Sequence, residues 1–282
     1  MRFLPQGSIP WLLAHELRLT WRGRGAAGKG RRSAWIVMAV MVAVLSIPGW
    51  MLAGVLKGRE IPLVPEAALI VDLVLGFLFT LMMSTTVAQT AVAFYERGDL
   101  DLLLASPIPP RRVLTVRCVG IAVQSTLLWL LLLTPFAVPG LIQGDLRWGN
   151  AYLVLLGMGL LAAAFGLVIA MGLFRVIGPK RTRAAATVLS ALIGVSFGLF
   201  GQLRNFVGQE TYNRWIDKVM SLSETGLFDR GRPLSWPAQA LIGDYVLAGG
   251  AIGVALVIFA LVTQSVGRTF GGDAAAAAGT AT

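Results

Sequence analysis

The sequence predicts an all-α integral membrane protein with six transmembrane helices and an N-terminal amphipathic helix. Of its 282 residues, 56% are hydrophobic and 13% are charged, and the mean hydropathy is +0.74. A water-soluble domain of this length could not bury so much apolar surface, which indicates that lipid is the solvent. The apolar runs lack the two-residue alternation of barrel strands, and only helices or closed barrels satisfy their backbone in lipid. The chain is therefore expected to be helical throughout.

Six apolar runs are long enough to cross about 30 Å of hydrocarbon at about 1.5 Å per residue. They are predicted at Ala34–Leu56, Ala67–Phe94, Cys118–Pro139, Ala151–Ile177, Ala184–Leu203 and Ile242–Val266. Together they form a transmembrane domain, 34–267, between an N-terminal segment, 1–33, and a low-complexity tail, 268–282, expected to be disordered. Pro135 and Pro139 are expected to kink or end the third span.

Basic residues set the predicted orientation, because they accumulate on the cytoplasmic side of membrane proteins. The N-terminal segment carries Arg2, Arg18, Arg22, Arg24, Lys29, Arg31 and Arg32 against the single acid Glu16. The loop after the fourth span adds Arg175, Lys180, Arg181 and Arg183 without an acid. Both termini are therefore predicted in the cytoplasm, with the chain a multi-pass protein of the inner (plasma) membrane. The net charge of +10 reflects this bias and attraction to anionic lipid headgroups, rather than a nucleic-acid partner.

The N-terminal segment contains a predicted interfacial helix over residues 8–22, SIPWLLAHELRLTWR. Apolar side chains share one side at helical spacing, and two tryptophans suit the headgroup layer; these are Ile9, Leu12, Leu13, Leu17, Trp11 and Trp21. Such a pattern is typical of an amphipathic helix that lies in the membrane surface.

Hydroxyl and amide side chains interrupt the second and third spans. They are Ser84, Thr85, Thr86, Gln89, Thr90, Gln124, Ser125 and Thr126. Two interpretations are open: hydrogen bonds between helices, contributing about 0.6–2 kcal/mol each, or the lining of a substrate path. Under the second, the candidate lining residues are Ser84, Thr85, Gln89 and Gln124.

Asp72 lies in the outer part of the second span. A carboxylate at this depth is costly unless it meets water or a partner. It either reaches interfacial water, pairs with a base of an outer loop, or marks a translocation route.

Apparent catalytic and nucleotide motifs do not fit their required context. Residues 23–29 approach a Walker A loop, but Gly30 stands at the Ser/Thr position and no strand precedes the loop. The GxSxG match at 194–198 lies inside a span, and the only histidine, His15, is predicted at the cytoplasmic surface. One histidine and one cysteine provide no metal-ligand cluster. The chain is expected not to be an enzyme and to bind no cofactor of its own.

The polar break between the second and third spans, residues 95–117, is the most informative segment: YERGDLDLLLASPIPPRRVLTVR. It has an acidic start, a leucine face and a proline-rich end. A loop that only joined two spans would need a few solvated residues. The length and leucine face of this segment indicate that something holds it; the alternative is that the leucines from Leu100 to Leu104 only lie on the membrane surface.

This segment resembles the coupling element of ABC-2 type permeases, in which a glutamate-rich turn, a Leu-Leu run and a Ser-Pro-Ile/Val segment separate the second and third spans. The helix at 8–22 resembles the elbow helix of these permeases, although a simple surface anchor fits the same residues. Residues 204–241 resemble their outer re-entrant hairpin, with a plain extracellular loop as the alternative. The resemblance implies an ABC-2 (type V exporter-like) permease architecture.

The resemblance implies the transmembrane permease subunit of an ATP-binding cassette exporter, which moves a substrate outward using ATP hydrolysis by a separate cytoplasmic ATPase subunit. ATP and Mg²⁺ would bind to that ATPase. A second copy or a paralogue would complete the permease, unless the chain is the front half of a twelve-span product. The implied docking residues are Glu96, Arg97 and Asp99 as polar contacts, Leu102, Leu103 and Leu104 in the ATPase groove, and Pro107 and Pro109 at the return angle. A non-transport membrane scaffold or regulatory anchor is the alternative.

Overall fold

The computed structural model describes Trp11, residues 28–59, 62–95, 110–177 and 202–279, and part of the stretch 184–199. Within these residues every regular element is helical. The helices are α1 (Gly28–Leu56), α2 (Pro65–Tyr95), α3 (Pro110–Ile142), α4 (Trp148–Ile177), α5 (Leu203–Val207), α6 (Gln209–Met220), α7 (Trp236–Ile242) and α8 (Tyr245–Gly279). Two single 3-10 turns, Ser223–Thr225 and Pro233–Ser235, lie between α6 and α7.

Five of the described helices are long and apolar enough to cross a membrane. Their candidate spans are Ala39–Leu56, Pro65–Ala91, Arg112–Ile142, Trp148–Leu173 and Tyr245–Arg268. The prediction of an all-α, multi-pass membrane protein is thus confirmed. The predicted span Ala184–Leu203 is described only in part; the positions described between 184 and 199 are helical, and Gln202 lies in a turn. Six spans therefore stay a prediction, as does the elbow helix, of which only Trp11 is described.

Several helix boundaries differ from the sequence prediction. α3 continues through Pro135 and Pro139, where a kink or an end was expected, and ends at Ile142. α8 continues to Gly279, where a disordered tail was expected from residue 268; the alanine run in this stretch has the highest intrinsic helix propensity.

The last span starts at Tyr245 rather than at Ile242, which belongs to α7. Gly243 separates the two helices with a φ of 138°, a backbone conformation that favours glycine. Asp244 then caps α8, because its Oδ1 accepts hydrogen bonds from the backbone N–H groups of Val246 and Leu247, both at 3.0 Å. An apolar run thus contains a helix break that hydropathy alone does not place.

α4 is the central helix of the bundle. It packs against α2, α3, α7 and α8, and 56% of its span is buried, against 11–33% for the other four. Small residues allow this close packing: a Cβ on Gly166 would lie 2.7 Å from Thr86 Cγ2 on α2, and one on Gly159 would collide with Thr126 on α3. In lipid, such close approach contributes most of the attraction between helices.

α1 is the most exposed span and packs on α3. Their contact is tightest where Pro139 lacks the N–H that would otherwise bond the Pro135 carbonyl. Gly49 of α1 lies directly against that carbonyl. A Cβ at position 49 would collide with the carbonyl oxygen and would lie 3.0 Å from the Cα of Phe136. The missing side chain at Gly49 is therefore required for the α1–α3 contact.

We expect Gly49→Ala to destabilise the protein by about 1–3 kcal/mol, because backbone atoms cannot rotate away from the added methyl group. Gly54→Ala is the matched control on α1, since its Cβ would meet only Gln143 Oε1 at an ordinary 3.9 Å. The measurement is the thermal unfolding midpoint of each purified variant in the same detergent. Equal midpoints for the two variants would contradict the proposed role of Gly49.

Candidate functional site

The predicted coupling segment, 95–117, starts at the end of α2, and its last residues, 110–117, belong to α3. Its docking residues lie outside the described part of the chain: Glu96, Arg97, Asp99, Leu102, Leu103, Leu104, Pro107 and Pro109. What the structure describes is where the segment leaves and re-enters the bundle, at Tyr95 and Pro110.

Arg117 joins these two helix ends. It lies on α3, is only 6% exposed, and donates from Nε and Nη2 to the Ala93 carbonyl of α2 at 3.1 and 2.8 Å. The last four carbonyls of a helix have no donor within the helix, so this guanidinium satisfies one of them. From the sequence, Arg117 is only the last residue of the segment. The available signal is an arginine directly before the apolar residues 118–123 at the start of the predicted third span.

We expect Arg117→Ala to lower stability by about 1.5–3 kcal/mol, because the Ala93 carbonyl loses a charged donor. Arg112→Ala is the matched control, because Arg112 is an exposed arginine near the same end of α3. Thermal unfolding midpoints of the two variants, measured side by side, test this. An Arg117→Ala midpoint no lower than that of the control would show that the bond to Ala93 is dispensable.

Two of the four candidate path residues, Ser84 and Thr85, follow each other on α2. Ser84 is buried and Thr85 is half-buried, with the Thr85 hydroxyl donating to the Met82 carbonyl of its own helix at 2.8 Å. Buried Thr86 and Thr90 likewise donate within α2, and Thr126 within α3. These local bonds favour a packing role for the hydroxyl groups.

The two amide candidates are Gln89 on α2 and Gln124 on α3, both half-buried. Gln89 differs from the hydroxyl residues, because its Oε1 is buried and has no hydrogen-bond partner within the described residues. No hydrogen bond of the described structure joins Gln89 to Gln124. Gln89 is therefore the residue of the predicted path with an unmet polar atom.

A separate cavity of about 800 Å³ lies among α2, α4, α7 and α8, at the end where α2, α4 and α8 begin. We call it the Asp72 groove. Each of the three long helices lines it with positions spaced to share one helical face. The lining residues are Asp72, Leu75, Gly76 and Phe79 of α2; Val154, Gly157, Met158, Leu161 and Phe165 of α4; Val246, Leu247, Gly250, Ala251 and Val254 of α8; and Pro233, Trp236 and Pro237.

Aromatic rings line both ends of the Asp72 groove. Phe79 and Phe165 meet edge to face, with ring centroids 6.2 Å apart and planes at 88°. At the other end are Trp236 and Pro237 of α7. Between these ends, Val246 of the lining is 83% exposed within the described part of the chain.

Asp72 is the acidic residue of this apolar lining. Both of its carboxylate oxygens are buried, and neither has a hydrogen-bond partner among the described residues. The Ala238 backbone N–H lies near the carboxylate but does not meet hydrogen-bond geometry. Of the three interpretations open for Asp72, pairing with an outer-loop base is therefore not found in the described structure.

α7 is fixed over the groove by Asn150. This residue, fully buried in the first turn of α4, donates from Nδ2 to the Ala240 carbonyl at 3.0 Å. Ala238 and Ala240 are buried in the contact of α7 with the bundle. Residues 236–241, the last part of the predicted outer loop 204–241, therefore pack as an integral part of the fold.

Arg147, between α3 and α4, ties together the loops at the same end. Its guanidinium donates to the carbonyl of Leu56, the last residue of α1, at 3.2 Å and to the Arg59 carbonyl at 2.8 Å. Asp145 holds the guanidinium, accepting from Nε at 2.9 Å and from Nη2 at 2.7 Å. Its alkyl stem lies against Gly243, where an added Cβ would be 3.0 Å from Arg147 Cγ.

These hydrogen bonds from Arg147 hold the pKa of Asp145 below its ordinary value. Because the folded-state pKa is depressed, the stabilisation is present above the unfolded-state value of about 4 and is lost as pH falls through the folded-state pKa. We expect Asp145→Asn to lower the unfolding midpoint at pH 7, and the gap from wild type to shrink below about pH 4. Midpoints measured from pH 3 to pH 8 test this.

Asp217→Asn, at an exposed carboxylate of α6, is the control for the loss of one negative charge. The interpretation is wrong if the gap between Asp145→Asn and wild type stays constant across the pH range, or if Asp217→Asn reproduces it.

No family model, no curated protein and no solved structure matches this chain.

Proposed function

We propose that the chain is the transmembrane permease subunit of an ATP-binding cassette exporter. The observation that carries the proposal is the segment between α2 and α3, with its acidic start, leucine face and proline-rich end. It leaves and re-enters a multi-pass helical bundle at two helix ends, which supports its assignment as the place where a cytoplasmic ATPase docks. Both termini are placed in the cytoplasm by the basic residues of the sequence.

In this proposal, Glu96, Arg97 and Asp99 make polar contacts with the ATPase, while Leu102, Leu103 and Leu104 insert into its groove. Pro107 and Pro109 fix the return of the chain to α3. ATP and Mg²⁺ bind to the ATPase, and closure of the ATPase pushes on this segment. A second copy of the chain or a paralogue completes the permease.

Transmission of such a push requires a stiff connection, because rigid bodies move as units only when their contacts do not yield. Two features of the bundle support this. Arg117 binds the end of α2 to α3, and a buried apolar cluster joins α3, α4 and α8 just beyond it. The cluster consists of Leu114, Cys118, Ile121, Ala122, Ala163, Ala164, Leu167, Phe259 and Val266. Displacement of the coupling segment would therefore move the helices around α4 together.

The proposed substrate path follows the polar residues of α2 and α3: Ser84, Thr85, Gln89 and Gln124. Gln89 supports this assignment most directly, because its buried Oε1 lacks a partner among the described residues. The hydroxyl groups support it less, since Thr85 bonds within its own helix.

Replacement of Leu103 with Asp is expected to abolish co-purification of the ATPase, because a carboxylate cannot enter an apolar groove without losing its hydration. The tagged chain is solubilised from its native host, purified with its partners and examined by mass spectrometry. Leu222→Asp is the matched control, because Leu222 is 45% exposed and lies after α6, in the loop that the sequence predicts outside the cell.

Retention of a stoichiometric ATPase by Leu103→Asp would remove this segment from the docking role. If the unmodified chain purifies without any ABC ATPase, under conditions that preserve a known ABC complex, the exporter proposal fails and a membrane scaffold or regulatory anchor takes its place.

A further inference from the structure

We propose that the Asp72 groove binds an amphiphilic cation, with an ammonium head against the Asp72 carboxylate and an apolar tail along α4 toward Phe79 and Phe165. The inference goes beyond the exporter proposal, because it concerns a different set of residues and does not require the ATPase. It depends on the shape of the groove, its composition and the charge of one residue.

The Asp72 carboxylate lacks a partner for its charge and its hydrogen bonds among the described residues. An ionised carboxylate in apolar surroundings is strongly unfavourable unless a cation or hydrogen-bond donors accompany it. Both oxygens of Asp72 are buried without a partner among the described residues. An ammonium group supplies a positive charge and several N–H donors at once, so it satisfies both requirements.

The rest of the groove lining is apolar. Apart from Asp72, the side chains that line the groove are aliphatic, aromatic or absent, as at Gly76, Gly157 and Gly250. A volume of about 800 Å³ lies within the range of sites that enclose a drug-sized molecule. From Asp72 to Phe79 the groove follows two turns of α2, roughly 10 Å at the helical rise. A ligand that fits has one polar end and a longer apolar body.

The charges of the lining residues distinguish a simple cation from a zwitterion as the ligand. The residues that line the groove include neither lysine nor arginine. A phosphate or carboxylate on the ligand would then lie near Asp72 without a compensating positive charge, which is repulsive in a low-dielectric site. The lining therefore favours a ligand whose only charge is the ammonium group.

A ligand would reach the groove past the exposed residues of α8. The rim residues Val246 and Val254 are 83% and 58% exposed on the outer surface of α8. In the membrane these side chains face lipid, so an amphiphile already dissolved in the bilayer reaches the groove sideways. Trp236 of α7, 46% exposed, stands beside Asp72 at the end where the polar head would lie.

The test uses three photoreactive probes with the same twelve-carbon chain and a diazirine at the chain end: a primary amine, an alcohol and a carboxylate. The full chain is reconstituted in phosphatidylcholine nanodiscs at pH 7, where an alkyl amine is protonated. Labelled positions are mapped by mass spectrometry. Each variant is compared with wild type for the same probe, so that differences in membrane partitioning cancel.

We expect the amine to label α2, α4 and α8 in the groove, and Asp72→Asn to reduce that labelling at least about tenfold, because one partner of a desolvated charge pair is lost. Labelling by the alcohol should change little. Glu66→Gln is the matched control, since it removes an exposed carboxylate from the first turn of the same helix.

A second pair of variants tests the groove without changing charge. Gly250 lines it and Gly249 does not, while a Cβ at either position would meet nothing within 4 Å. Gly250→Leu should therefore fill the groove and abolish amine labelling, whereas Gly249→Leu should leave it unchanged. This pair keeps the proposal testable even if Asp72→Asn fails to fold.

Equal labelling by amine and alcohol, with no effect of Asp72→Asn, would overturn the proposal and leave a groove filled by lipid chains. Preferential labelling by the carboxylate would also overturn it. Addition of phosphatidylethanolamine tests the exclusion of zwitterions. Amine labelling that depends on Asp72 and is not reduced by phosphatidylethanolamine supports the proposal, whereas competition by this zwitterionic lipid would overturn it.

Discussion

The arrangement of the bundle depends on how closely other helices approach α4. In lipid, apolar side chains gain little by turning from acyl chains to one another, so packing and hydrogen bonds must hold the helices together. α4 meets this requirement with fully buried Ala162, Ala163 and Ala170 and with glycines that admit threonines of α2 and α3. The other long helices leave more of their surface to lipid. Loss of one small residue on α4 would therefore disturb several helix pairs at once.

A second constraint is the set of carbonyls that helix ends leave unpaired. Three side chains satisfy such carbonyls across helices: Arg117 at the end of α2, Arg147 at the end of α1, and Asn150 near the end of α7. Each bond joins two elements far apart in sequence, so each also fixes tertiary structure. The buried oxygens of Asp72 and Gln89, like Asn150 Oδ1 and Thr263 Oγ1, have no hydrogen-bond partner among the described protein atoms.

The features that depend on composition could be predicted from the sequence. Hydropathy located five of the described helices, because a span requires a continuous apolar run. It misplaced the start of α8, because Gly243 and Asp244 interrupt an apolar stretch only through their backbone conformation and capping. The roles of Arg117 and Arg147 could not be predicted, since their acceptors lie 24 and about 90 residues away. The Asp72 groove could not be predicted from the sequence for the same reason. The faces of α2, α4 and α8 are periodic in sequence, but packing decides which faces meet.

α2 connects the two sites of interest. It carries Asp72 near its first residue and Ala93 near its last, and it packs along α4 between them. In the proposed exporter, a push at the Ala93 end would tilt α2 on α4 and change the width of the groove beside Asp72. Coupling free energies are reciprocal, so a ligand that favours one width of the groove must also favour one position of the coupling segment. A bound amphiphile would then alter the affinity of the ATPase for this chain, and the sign of that change would show which position the occupied groove prefers.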